Sequence, residues 1–361
     1  MPQKRIVYKL KEDKKKLPIW AKILIIVLAV AVVAGVVVLL YGSHILGKIE
    51  RIDQANEHQM TQEEVAQYME QEKKEEENVS TSDLIKIPER DVAEEKEPDL
   101  NNKNIKLVTD KNVTNILLIG VDARNQSFSG RSDTMMVCSI NSKTNTITLL
   151  SLMRDLYVEI EGYGNNKLNA SYAFGGTRLL NKTIEKNLGI HIDHNVIINF
   201  SGFISAMAQV GDLDLSLSKD EVNYLVGLHP DWELVEGTNT LNSTQLLEYV
   251  RGRHLNGSDW GRTERQRKVI MAVYKSYRSQ GVGAMLDLID RVTPYVKTDM
   301  SNGEIVSAAT NVVSSGMNIG KTVAVPTGNM YNAMYVKGRA VLVPDMAAVS
   351  KAVHQYLYGV D

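Results

Sequence analysis

VTNILLIGVDARNQSFSGRSDTMMVCSINSKTNTITLLSLMRD, residues 113–155, decides the fold. Its first nine residues form a continuous apolar run, the pattern of a strand buried on both faces. A polar loop follows, and then RSDTMMVCSI and TITLLSLMRD are joined by the short polar turn NSKTN, which predicts a hairpin. In a hairpin the start of one strand lies beside the end of the next, so Asp133 falls near Arg154. The first strand ends at Asp122, with Arg124 just beyond, and the loop brings both to the same sheet edge. Asp122, Arg124, Arg131, Asp133 and Arg154 are therefore expected to converge. Two carboxylates among three guanidiniums suit a site for a metal and a polyanion. The competing reading is a structural salt-bridge network.

On the N-terminal side, residues 23–40 form an unbroken apolar run long enough for a bilayer core of about 30 Å. Lys4, Arg5, Lys9, Lys11, Lys14, Lys15, Lys16 and Lys22 precede it, and the positive flank stays in the cytoplasm. The run exceeds a signal-peptide core and no clear small-residue cleavage site follows it, so an uncleaved anchor is expected. The sequence thus divides into a basic cytoplasmic tail at 1–22, a transmembrane helix at 23–41, an acidic extracellular stalk at 42–104 and an extracellular folded domain at 105–361. The stalk is rich in Glu, Gln and Lys; its first half admits a helix, but it offers little apolar surface, the composition of a partly disordered spacer.

On the C-terminal side, GYGNNKLNASYAFGG is expected to form a glycine-rich lid with Lys167 and Asn169 as its polar members. It has neither the Walker lysine pattern nor the dinucleotide glycine spacing. A helix at 177–188 closed by Gly189, a strand in HIDHNVIINF and a helix from Ser201 come next. His191 and His194 would face opposite sides of that strand, with no cysteine or further histidine near, which excludes a zinc set. A helix at 243–250 delivers Arg251 and Arg253. The stretch YVRGRHLNGSDWGRTERQRKVIMAV, 249–273, then crowds arginines beside Asp259.

On a helix from about Arg262, the residues Arg262, Gln266, Val269, Val273 and Tyr277 share one stripe facing the interior. Arg267 and Lys268 point away from it and read as a solvated face. A buried guanidinium at Arg262 needs an anion, either Asp259 or Glu264 of the protein or a bound one. Further on, Ser301 and Glu304 form a capping box, TVAVP and RAVLVP read as strands, and a last helix starts from Asp345. Strands alternating with helices predict an α/β domain of three layers, α/β/α, whose hairpin makes the central sheet mixed. The net charge of -2 gives no bias toward nucleic acid, and the single cysteine, Cys138, excludes an internal disulfide framework.

NILLIGVDAR, RSDTMM, SLMRDLYVEI, KLNASYAFGG, YVRGRH and DWGRTERQRKVI, in that order after one N-terminal apolar run, resemble the LytR-CpsA-Psr family of cell-wall glycopolymer transferases. The resemblance implies an α/β/α fold, a magnesium ion (Mg2+), and a polyprenyl diphosphate-linked glycopolymer as donor. It also implies transfer of the glycopolymer with its phosphate to a peptidoglycan sugar hydroxyl outside the membrane. Matched motif by motif, Asp122 and Asp133 would hold the metal. Arg124, Arg131, Arg154, Arg251, Arg253, Arg262 and Gln266 would surround the diphosphate, with Arg154, Arg251, Arg253 and Asp259 nearest the chemistry. Asp259 would orient the acceptor hydroxyl or anchor Arg262. The apolar faces of 177–188, 201–210 and 269–277 are candidates for holding the prenyl tail. Met153 stands where the family commonly has proline, and VGDLDLSLS replaces a usual double-glycine segment.

Two rival functions share these residues. A magnesium-dependent polyprenyl diphosphate hydrolase would put water in place of the sugar hydroxyl, and acceptor-dependent turnover separates the two. A noncatalytic membrane-bound transcriptional regulator would use the arginines on nucleic acid, but the anchor's orientation puts them on the exported side. A reporter fused after Asp361 that works only outside the cytoplasm is expected to be active. A signal instead from a cytoplasm-only reporter would reverse the assigned orientation.

Overall fold

The computed structural model describes residues 49–77, 97–100, 102, 105–121, 128, 130–252 and 259–360. The expected membrane run, the basic tail before it, and Asp122, Arg124 and Arg253 lie outside these residues. No described helix is long and apolar enough to cross a membrane.

In chain order the strands are β1 (Glu50–Arg51), β2 (Val113–Val121), β3 (Ser132–Asn141), β4 (Thr146–Leu152), β5 (Tyr157–Ile160), β6 (Gly164–Lys167) and β7 (His194–Asn199). There follow β8 (Leu213–Leu217), β9 (Gly237–Leu241), β10 (Lys297–Thr298), β11 (Asn318–Val325), β12 (Tyr331–Val336) and β13 (Arg339–Pro344). The helices are α1 (Gln62–Glu77), α2 (Leu168–Leu188), α3 (Phe200–Val210), α4 (Lys219–Leu228) and α5 (Ser243–Arg251). They continue with α6 (Asp259–Arg278), α7 (Val282–Val292), α8 (Asn302–Ser314) and α9 (Met346–Tyr358).

Seven strands form a mixed central sheet in the order β1-β10-β7-β2-β3-β4-β11. The run at 113–155 supplies its middle: β2 pairs antiparallel with β3, and β3 antiparallel with β4. Parallel neighbours extend it, β7 beside β2 and β11 beside β4. Alternation along these strands gives the sheet two apolar faces. Leu117, Ile119, Met135, Val137, Leu150 and Leu152 pack on one side with residues of α2 and α9. Leu118, Met136, Cys138, Ile140, Ile147 and Leu149 lie on the other, with Ile270, Met271 and Tyr274 of α6 and Val312 of α8. A separate apolar cluster joins the antiparallel β8–β9 pair to α3, α4, α5, α6 and α7. The capping box expected at Ser301 and Glu304 opens α8.

RAVLVP is a strand, as expected; as β13 it pairs with β12 in a hairpin outside the main sheet. Two expectations are corrected. The expected lid is ordered secondary structure, the β5–β6 hairpin leading into the first turns of α2. Leu168, Ala170, Ser171, Tyr172 and Phe174 are all buried there, so packing overrides the glycines nearby. Those glycines make a kink instead, since Gly176 takes a φ of +65°, a conformation glycine adopts without steric cost.

The second correction concerns the spacer. Residues 49–77 of it pack on the domain. Met60, Val65, Tyr68 and Met69 lie against the main core, and the Tyr68 and Phe174 rings meet edge to face at 5.4 Å. The Met60 amide donates to the Phe174 carbonyl at 2.8 Å. Glu57 caps the helix restart after the kink: its carboxylate accepts from the Thr177 amide at 2.8 Å, the Thr177 hydroxyl at 2.7 Å and the Arg178 amide at 2.8 Å. Composition concealed this because a few apolar side chains on one face of α1 are enough to dock it. Glu57→Ala is expected to lower stability by about 1–2 kcal/mol, as loss of a helix cap does, read by chemical denaturation. A chain starting at residue 105 should melt on the order of 10 °C below one starting at residue 48. Equal melting would show the N-terminal segment to be a passenger.

Candidate functional site

The hairpin places its charged ends together as its register requires. Val121 of β2 pairs with Ser132 at the start of β3, and Met135 of β3 pairs with Leu152 at the end of β4. Asp133 and Arg154 therefore meet, with Arg154 Nη1 donating to Asp133 Oδ1 at 2.9 Å. Helix α6 starts at the same edge, and Arg154 Nε donates to Asp259 Oδ2 at 3.1 Å. A third carboxylate, Asp155 Oδ2, lies 3.4 Å from Arg154 Nε. Burial works against the charge of Arg154, yet Asp133, Asp155 and Asp259 outweigh it and raise its affinity for the proton well above that of an ordinary arginine.

Arg262 is buried, as its stripe predicts. Its Nη2 lies 3.3 Å from Asp259 Oδ1 and 3.5 Å from the Asp133 carbonyl. Asp259 thus has one oxygen on Arg154 and the other beside Arg262, which makes it an anchor of guanidiniums. Gln266 follows one turn later at the same wall. Arg251 ends α5 and lies 4.9 Å over the Phe200 ring. Arg131 lines the same space from the head of the hairpin.

Sequence reasoning misplaced Arg267 and missed the role of Arg265. Arg267 is not solvated: it is buried and donates to the Ser151 hydroxyl at 2.7 Å and the Thr263 hydroxyl at 3.3 Å. Burial lowers its affinity for the proton. Arg265 is 2% exposed and donates to the Tyr249 carbonyl at 2.8 Å and to the Gly252 carbonyl. It satisfies carbonyls left open at the end of α5 and so fixes where Arg251 emerges. Asp155 and Lys167 also belong to the site. Lys167 Nζ is 3.3 Å from Asp155 Oδ1. Burial would raise the Asp155 carboxyl, but Lys167 and then Arg154 hold it below the usual aspartate value. Asp155 was legible as the residue after Arg154 in MRDLY; its pairing with Lys167 was not.

Beneath this charged rim opens a cavity of about 1050 Å³, at the large end for ligand pockets. Asp133, Arg154, Asp155, Lys167, Arg262 and Gln266 stand on its wall. Its body is apolar: Leu118, Met136 and Leu149 from the sheet, Phe203 and Met207 from α3, and Val269, Ile270 and Val273 from α6. Of the segments expected to hold a prenyl tail, 201–210 and 269–277 contribute residues to this cavity. Segment 177–188 packs in the core on the other side of the sheet. Cys138 lies in the cavity wall, and burial pushes its thiol up to about 12. Among the described residues no three histidine, cysteine or acidic side chains gather as a metal cage.

The family described as LytR_cpsA_psr matches residues 56–353. The regulatory protein MsrR of Staphylococcus aureus is 31% identical over 219 residues, 60% of this chain and 65% of that protein. The polyisoprenyl-teichoic acid–peptidoglycan teichoic acid transferase TagU of Enterococcus faecalis is 35% identical over 199 residues, 54% of this chain and 64% of that one. The chain thus spans just under two thirds of the length of these curated relatives. A solved structure described as TagT bound to LI-WTA superposes with a TM-score of 0.56 at 26% identity, covering 73% of this chain and 94% of that one. The match at 56–353 takes in helix α1, the arginine rim and the cavity beneath it, and the chain belongs to the LytR_cpsA_psr family.

Proposed function

We propose that this protein transfers an anionic cell-wall glycopolymer, with its phosphate, from a polyprenyl diphosphate carrier to a sugar hydroxyl of peptidoglycan. The observation that carries the proposal is the cavity's division into two chemistries. Guanidiniums at the rim match a diphosphate, and the deep apolar body matches a long hydrocarbon tail. The kinship to TagU and the structure of TagT with LI-WTA support the same class of substrate. The apolar run at 23–41 would hold the protein in the membrane that contains such a lipid, with the domain on the outer side.

In the reaction, the acceptor hydroxyl oxygen bonds to the glycan-side phosphorus. The bond from that phosphorus to the bridging oxygen breaks, polyprenyl phosphate leaves with the electron pair, and the hydroxyl's proton passes to that departing phosphate or to solvent. Cleavage of a diphosphate supplies its own driving force outside the cell, where ATP is lacking. The protein's task is positioning and neutralisation of charge on the phosphoryl oxygens. Arg154 and Arg262 are suited to it because Asp259 fixes both guanidiniums before the donor arrives. Arg131 and Arg251, with the expected Arg124 and Arg253, would meet the remaining oxygens.

Asp133 puts a hard carboxylate oxygen on the cavity wall, the donor chemistry that magnesium takes in combination with phosphate oxygens. The described residues fit an ion held by few carboxylates and substrate, with Asp133 and the expected Asp122 as its protein ligands. When bound it would neutralise developing negative charge on the diphosphate.

Asp133→Asn is expected to leave the fold intact, because Arg154 keeps Asp155 and Asp259 as counter-charges. Transfer should fall by roughly a hundredfold or more, the scale of losing a principal electrostatic group, and chelation of magnesium should abolish it in the native protein. Melting temperature and label transferred to peptidoglycan, with and without chelator, check both. Activity that persists in chelator would remove the metal, and lipid phosphate released equally without acceptor would make the protein a hydrolase.

A further inference from the structure

Helix α1 places one acidic residue, Glu72, in the interior beside the site, although its own sequence, QEEVAQYMEQEKKEEE, is among the most polar of the helices. Glu72 is 3% exposed and lines the cavity. Its Oε2 lies 3.0 Å from Arg339 Nη1 at the start of β13, and its Oε1 lies 3.8 Å from Lys167 Nζ at the end of β6. Arg339 also donates to Asn166 Oδ1 at 2.7 Å. One carboxylate from the N-terminal segment thus joins two hairpins that otherwise belong to separate small sheets. From Lys167 the contacts continue to Asp155 at 3.3 Å, and from Asp155 to Arg154 at 3.4 Å. The line runs from α1 to the central guanidinium of the rim.

We propose that Glu72 is a positioning residue of the diphosphate site: it holds the Lys167 ammonium at the cavity wall, between two carboxylates, where that cation meets the donor. This rests on the function proposed above. A buried carboxylate near an anion site would by charge alone oppose the ligand. Arg339 offsets that charge at 3.0 Å, so Glu72 contributes geometry rather than field. Without Glu72, Lys167 loses one of the two carboxylates that flank it and is drawn toward Asp155. The lysine then shifts from its set position on the wall, and Asp155 is drawn off Arg154. The assignment also gives the N-terminal segment a task, because the residue that completes the wall sits on the stretch leading back toward the expected membrane anchor.

The sign of one measurement decides the matter. Farnesyl diphosphate serves as the probe for the full-length chain in detergent, with binding followed by calorimetry. Glu72→Gln is expected to weaken binding about tenfold, whereas removing a negative charge from a merely electrostatic neighbourhood would tighten it. Because the single change leaves Arg339 buried with a lost partner, Glu72→Gln with Arg339→Gln is measured beside it. The double variant removes both members of the pair and is expected to fold and to show the same weakening. Tighter or unchanged binding in the folded double variant would overturn the positioning role. Failure of the unaltered chain to bind farnesyl diphosphate would overturn the proposed function itself, and this inference with it. Native binding with unaltered affinity in the variants would defeat this inference alone.

Discussion

One guanidinium organises the site. Arg154 is drawn out of water at the end of β4 and remains charged because Asp133, Asp155 and Asp259 close around it, from the start of β3, the neighbouring position and the start of α6. An unpaired charge so placed would cost several kcal/mol; with three carboxylates around it, the charge locks the ends of three elements together. The hairpin register and the start of α6 are therefore mechanically linked to the electrostatics of the rim. A change in any of them moves the others.

The second constraint is that the sheet has two apolar faces and treats them differently. On the side of α2 and α9 the strand side chains are packed solid, and residues such as Leu117, Val137 and Leu180 are wholly buried. On the side of α6 and α8 the same alternation lines a large opening with Leu118, Met136 and Leu149. The wall atoms of an apolar cavity this large have no protein partners across it. Its retention beside a ring of guanidiniums makes sense for a ligand with a hydrocarbon body and an anionic head.

Much of this was legible in the sequence because it depends on period and register. The period of two in 132–152 and the short turn at 141–145 placed Asp133 against Arg154, and the 3.6-residue stripe put Arg262 and Gln266 on the cavity side. Arg267 failed the same argument because burial was inferred from the stripe alone. A second layer of structure, the β4 strand carrying Ser151, covers the other side of α6 and buries it too. The lid was misjudged because glycines at 175 and 176 were weighed above the apolar residues before them. A kink inside a helix and a loop have the same local composition, and only packing tells them apart.

The N-terminal segment shows the deeper limit. Its mean polarity is that of a spacer, and every argument from composition treats Glu72 as one more solvated acid. What decides its place is a partner 267 residues away, Arg339, and another in β6, and no local window contains them. A buried ion pair adds little net stability over an apolar pair, but it tolerates only one arrangement of its members. Placed beside Lys167, that rigidity has a use a leucine could not supply, since it fixes a cation in position before any anion enters. In the proposed reaction, preorganised charge of this kind need not reorganise as negative charge builds up on the phosphoryl oxygens. The wall of the site is then set by the contact of α1 with two hairpins, and the polar N-terminal segment belongs to the machinery that β2, β3 and β4 begin.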